Sequence, residues 1–196
     1  MANLKDITEG KVKIYNPDAL YVTPFTTTIG ADGKTTTSKG KVTYKLDEVI
    51  RDTTTISQED TTDNKIENEF GSAPILNNVT LGSYTFSAEV ADMQQELLEK
   101  LCGYVKGTTA TDLTFAPSTY VPVFAEIALV FQTGAGTYMA AILPKVQLNS
   151  KATLDSLSTS MGRITLAGTG LNLGVSDGTK TVQTPFYIDT AYELPA

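Results

Sequence analysis

The chain has 196 residues, 41% of them hydrophobic, with no histidine, no tryptophan and one cysteine. Without imidazole or a second thiol it cannot build a Ser-His-Asp or Cys-His nucleophile system, nor a zinc site made from histidines or clustered cysteines. The net charge of -7 excludes a protein that grips nucleic acid through clustered lysine and arginine, and the length and apolar fraction predict a single domain over 1–196 with a core that needs no metal or disulfide.

Met1 to Glu9 is polar and charged, without the apolar stretch of a secretory signal, and no apolar run reaches membrane-spanning length. With no disulfide possible within the chain, the expectation is synthesis in a reducing cytoplasm and no membrane binding by this chain alone. A first strand is predicted over Lys11 to Tyr15. From Thr23 to Gly40 follows a threonine-rich stretch around Ala31-Asp32-Gly33-Lys34, where Asp-Gly signals a hairpin turn. Apart from Phe25 and Ile29 it holds almost nothing apolar, so this hairpin is expected to be mobile in the free subunit and to gain order by pairing with a partner.

Further strands are predicted over Val42 to Leu46 and Asn64 to Phe70, separated by the polar stretch Thr53 to Asn64. In Ser83 to Val90 the residues Tyr84, Phe86, Ala88 and Val90 fall on one face, as a half-buried antiparallel strand requires. One helix is predicted, over about Asp92 to Cys102. Asp92 is its expected N-cap, Gln95 stands three residues on as in a capping box, and Gly103 supplies the left-handed stop. Met93, Leu97, Leu98 and Leu101 form its apolar stripe, with Cys102 as a small hydrophobe beside it.

The run Val121 to Phe131 is apolar on both faces apart from Glu126, which predicts a central strand covered on both sides, with Pro122 near its start. Tyr138 to Leu143, Lys145 to Asn149, Arg163 to Leu166 and Val182 to Ile188 complete the strands, and Ser176-Asp177-Gly178-Thr179 marks a tight turn. The fold expected from this series is mainly β, an antiparallel sandwich or barrel-like domain with one flanking helix and long Thr-rich loops.

Chemical motifs are sparse. Gly134-Ala-Gly136 and Gly168-Thr-Gly170 do not open helices and lack a following Gly-Lys-Ser/Thr, so they are expected to be turns or bulges rather than phosphate loops. The acidic stretch Glu59-Asp60-Thr61-Thr62-Asp63 lacks the ligand spacing of a calcium loop. Glu67 and Glu69, two apart in a predicted strand, point to one face and are expected to form an exposed acidic surface. No cofactor, metal or catalytic residue is assigned.

Several segments together resemble the major tail tube proteins of long-tailed bacteriophages and related phage-derived tube proteins. These are Thr54 to Asp60, Lys65-Ile-Glu-Asn-Glu-Phe70, Gly82-Ser-Tyr-Thr-Phe-Ser-Ala88, Asp92 with Glu96-Leu-Leu, Ala141-Ile-Leu-Pro-Lys-Val146 and Gly162-Arg-Ile-Thr-Leu-Ala-Gly-Thr169. The resemblance implies a β-sandwich flanked by one helix that assembles with itself into hexameric rings, stacked into a tube in the virion tail and joined to other tail proteins. DNA would pass through it only in transit. On that reading Glu67 and Glu69 are candidates to line an acidic lumen, and Phe25, Ile29, Asp32 and Lys34 are candidates for contacts between rings. A β-sandwich adhesin or ligand-binding module is the alternative. A hydrolase using Glu67 with Glu69, or Tyr104 with Lys106, is the enzymatic rival.

Overall fold

The computed structural model describes residues 17–29, 35–67, 74–154 and 162–195, and within them the chain is mainly β with a single helix. The first half runs β1 (Ala19–Ile29), β2 (Thr35–Lys39), β3 (Tyr44–Leu46), β4 (Thr55–Gln58), β5 (Thr62–Glu67), β6 (Pro74–Thr80), β7 (Tyr84–Val90), α1 (Gln95–Cys102), β8 (Val105–Lys106) and β9 (Thr114–Phe115). The second half holds β10 (Val123–Gly134), β11 (Thr137–Leu148), β12 (Lys151–Thr153), β13 (Arg163–Gly170), β14 (Leu173–Ser176), β15 (Thr181–Thr184) and β16 (Tyr187–Asp189).

The main sheet has the order β2-β1-β10-β11-β13-β7-β4, with every pairing antiparallel. Its two ends are drawn together by the short segment 44–50. Leu46 of β3 pairs with Leu20 of β1, and three residues later Val49 bridges Val90 of β7. Ile50 N–H donates to the Glu89 carbonyl at 2.7 Å, and Ala91 N–H to the Glu48 carbonyl at 2.8 Å. The sheet therefore curls around an enclosed core, as the apolar alternation of its strands requires.

β10 explains why there are two apolar layers. Its Ala125, Ile127 and Leu129 enter the enclosed core with Leu20, Phe86, Leu143, Val146, Ile164 and Leu166, whereas Ala128 and Val130 point the other way, against Tyr21, Ala140 and Ile142. A strand apolar on both faces is what Val121 to Phe131 predicts. β7 also matches expectation, with Phe86, Ala88 and Val90 buried on one face. Helix α1 closes the core by burying Leu97 and Leu101, roughly 1.5–3 kcal/mol for each side chain. It ends at Gly103, whose φ of 71° is the left-handed stop expected there.

Several expectations are corrected. The helix begins at Gln95 rather than near Asp92, and its cap position is Gln94, with no side-chain cap bond. Asp92 instead forms a turn before the helix: its carboxylate accepts from Gln94 N–H at 3.1 Å and from Gln94 Nε2 at 2.9 Å. Gln95 does not reach back to a cap; its Nε2 donates to the Thr111 carbonyl at 3.2 Å. The predicted strands Tyr138 to Leu143 and Lys145 to Asn149 are one strand, β11, continuous through Pro144. Val182 to Ile188 is two strands, interrupted at Pro185. The strand predicted from Val42 starts at Tyr44. The one predicted over Asn64 to Phe70 runs Thr62–Glu67, with 68–70 outside the described residues. Lys11 to Tyr15 also lies outside them.

The glycine pairs separate. Gly134 ends β10 and Gly136 lies in the β10–β11 hairpin turn at φ 76°, as expected. Gly168 and Gly170 lie inside β13 instead, opposite Leu148 and Val146 of β11. The Ser176 to Thr179 turn forms as expected, with the Asp177 carboxylate accepting from Thr179 N–H at 2.9 Å and Lys180 N–H at 2.8 Å.

Candidate functional site

The distinctive region is the place where β1 changes partner. From Ala19 to Pro24 it pairs with β10, Thr23 opposite Glu126 and Pro24 opposite Ala125. From Phe25 onward it pairs with β2, Phe25 opposite Lys39 and Thr28 opposite Thr36. Thr23 and Pro24 thus belong to the body of the sheet, and Thr23 is buried there with its hydroxyl 2.9 Å from that of Thr43. Beyond them β1 and β2 form a two-stranded threonine ribbon, and β2 is an end strand among the described residues. The other end strand, β4, is likewise polar, and Thr55, Ser57 and Gln58 are exposed on it.

Charge gathers at the base of the ribbon. Lys39 pairs with Glu126 of β10 at 2.7 Å. Lys145 of β11 donates to Thr37 Oγ1 at 3.1 Å, and its ammonium stands 4.8 Å from the Phe124 ring centroid and 5.6 Å from that of Phe25. Both distances lie within reach of a cation–π attraction. An irregularity in the β10–β11 pairing sets this geometry: Ala125 faces Val146 and Ile127 faces Leu143, so Glu126 alone stands against Pro144 and Lys145. One extra residue on β11 keeps Leu143, Val146 and Leu148 all in the core, where strict alternation would turn Lys145 and Gln147 inward. Pro144, which has no N–H to offer a ladder, sits at that bulge.

Where ionisation shifts among the described residues, it moves away from neutrality. Tyr44, whose hydroxyl donates to Glu96 at 2.7 Å, is pushed up to about 12 by burial, then by that bond and the Glu96 charge. Tyr187 and Tyr192 are also pushed up to about 12, by burial first and by the Glu126 charge next. Burial pushes the half-buried Cys102 thiol up to about 11. Lys45 is raised by its bond to Asp47, and Asp177 is lowered by the hydrogen bonds of its turn. Each of these groups is held more firmly in the form it already takes at pH 7, the reverse of what a general acid, base or thiolate nucleophile needs. Among the described residues no three Cys, Asp or Glu side chains converge as a metal site would require.

Of the residues singled out from sequence, Phe25 lies at the ribbon base, half-buried near Lys145. Ile29 ends β1 opposite Thr35, and Asp32 and Lys34 lie outside the described residues. Glu67 closes β5 next to a register shift in the β5–β6 ribbon, and Glu69 lies outside the described residues. Tyr104 and Lys106 flank the first residue of β8. Comparison with protein-family models and with curated proteins finds no match for the chain. Sequence reasoning passed over Lys39, Phe124 and Lys145. The signal for them was present: Glu126 is the only charge in one apolar run, and Pro144-Lys145 interrupts the run that pairs with it.

Proposed function

We propose that this chain is a self-assembling structural subunit whose copies form hexameric rings that stack into a tube, a conduit for DNA in a phage-type virion tail. The observation that carries the reading is the curled antiparallel sheet whose end strands among the described residues, β2 and β4, are both polar, β2 pairing there with β1 alone. Open strand edges are a liability in a monomer and an interface in an assembly. A head-to-tail contact repeated around a closed rotation makes a ring, and repeated along an axis makes a filament. The element order, with one helix packed on the curled sheet, agrees with what the resemblance to tail tube proteins implies.

Two further points support a structural role over an enzymatic one. The titrating groups described above move away from neutral pH, and the net charge of -7 suits a channel wall that repels phosphate. Glu67 and Glu69 remain the proposed lumen residues, and Phe25, Ile29, Asp32 and Lys34 the proposed contacts between rings. Negative-stain microscopy of the purified chain over rising concentration tests the proposal: rings or tubes are expected, and a particle that stays monomeric, also in the presence of tail-tip proteins, contradicts it.

A further inference from the structure

We infer that the β1–β2 ribbon is latched to the body of the subunit by two lysines, Lys39 and Lys145, and that this latch, rather than the ribbon's own pairing, holds it in place. The ribbon proper is threonine paired with threonine and serine, Thr26 with Ser38, Thr27 with Thr37 and Thr28 with Thr36. A two-stranded ribbon without an apolar face is marginal in water. Fixing its backbone costs roughly 1–2 kcal/mol per residue. The stabilisation therefore has to come from contacts to the body, and those described are polar.

They converge from two strands. Glu126 on β10 takes Lys39 at 2.7 Å; the Glu126 side chain is 15% exposed, and that of Lys39 51%. Tyr187 and Tyr192 near it are kept protonated, by burial first and by the Glu126 charge next, so Lys39 is the cation set against Glu126 among these neighbours. From β11, Lys145 reaches Thr37 in the ribbon while its ammonium lies near two rings, Phe124 on the body and Phe25 at the ribbon base. The bulge at Pro144 is what turns Lys145 to this side of the sheet; without the extra residue its side chain would point into the enclosed core. Lys145 is thus a positioning residue: it sets the direction in which the ribbon leaves the sheet. A partly exposed ion pair and a part-buried hydroxyl contact are modest, and the ion pair is screened by salt, so the latch can open without unfolding the sheet. A partner that competes for Lys39 or Lys145 would release the ribbon. The inference concerns the single subunit and does not depend on the assembly reading.

Hydrogen exchange read by mass spectrometry on the intact chain tests it, kept at a concentration where sedimentation shows one copy. Lys145→Met keeps the length of the stem and removes the charge, and Glu126→Gln is nearly isosteric and removes the ion pair. In each variant the peptides covering 25–28 and 36–39 are expected to exchange at least threefold faster, while peptides from β7 and β13 keep the wild-type rate. In the wild type, raising NaCl from 0.05 M to 1 M should also accelerate the ribbon peptides. The inference is overturned if both variants change ribbon exchange by less than threefold, or if β7 and β13 accelerate as much as the ribbon does. Should Lys145→Met fail to fold, Glu126→Gln decides the matter by the same criterion.

Discussion

Gly168→Ala should destabilise the chain although alanine is the better strand residue. Gly168 lies in the middle of β13, facing Leu148 on one side and Phe86 on the other. A Cβ there would stand 2.5 Å from the Gln147 carbonyl oxygen and 2.6 Å from Val146 Cγ1. The first of these is backbone in a paired strand and the second a buried core side chain, so neither can swing aside; β11 and β13 have to separate by several tenths of an ångström. Overpacking of this kind costs about 1–3 kcal/mol. Lower entropy of the unfolded chain returns about 0.4–1 kcal/mol. With neither contact able to yield, the cost lies in the upper half of that range, about 2–3 kcal/mol, so the net loss is about 1–2.6 kcal/mol, which for a chain of this size lowers Tm by about 2–10 °C. Gly136→Ala is the control: nothing lies within 4 Å of its Cβ position, and only the left-handed φ of 76° opposes it, at about 1 kcal/mol. Circular dichroism melting of both variants checks the argument. A Gly168→Ala protein as stable as the wild type, or more so, would refute the close approach of β11 and β13.

Three of the nine tyrosines, Tyr44, Tyr187 and Tyr192, are held near 12, so absorbance at 295 nm should show a late phase. Because their folded values lie above the ordinary value of about 10, the stability they confer is complete below pH 10 and is lost as pH rises through 12, and Tyr44→Phe should make that loss shallower; a single midpoint near 10 in the native protein contradicts this. Cys102, moved from 9.0 to about 11, should react with a thiol reagent at pH 8 about a hundredfold more slowly than an exposed thiol, and equal rates would contradict its burial. Deleting Thr27 to Thr37 should leave a folded body whose melting stays within a few degrees of wild type, since no described residue of this stretch belongs to the buried core, while stacking is impaired; loss of cooperative melting would show that the ribbon supports the core.

The parts of the fold legible in the sequence are those in which burial and secondary structure coincide. The alternation of Tyr84 to Val90 places β7, the doubly apolar run around Ile127 places β10, and the Leu97, Leu101 and Gly103 spacing places α1. Strands whose sequence is polar were hidden. β4 and the start of β5 lie in the polar stretch Thr53 to Asn64, and β6 carries Asn77 and Asn78 after an initial proline. Ala19 to Val22 was missed because four apolar residues run through Thr23 and Pro24 directly into the threonines, so one strand that pairs first with β10 and β3 and then with β2 looked like the approach to a loop. Pro144 misled in the opposite sense, dividing β11 in two, since a bulge absorbs a proline that a regular ladder excludes. The charged base of the ribbon combines both effects: Glu126 and Lys145 are each visible as interruptions, but only the register makes them face each other.

The central claim is self-assembly, and sedimentation velocity paired with negative-stain microscopy over a concentration series measures it most directly. The account predicts a species of six times the 21.0 kDa subunit mass, seen as rings, with stacked tubes at higher concentration. A single 21.0 kDa species at every concentration, with no rings on the grid and none after addition of tail-tip proteins, would contradict it.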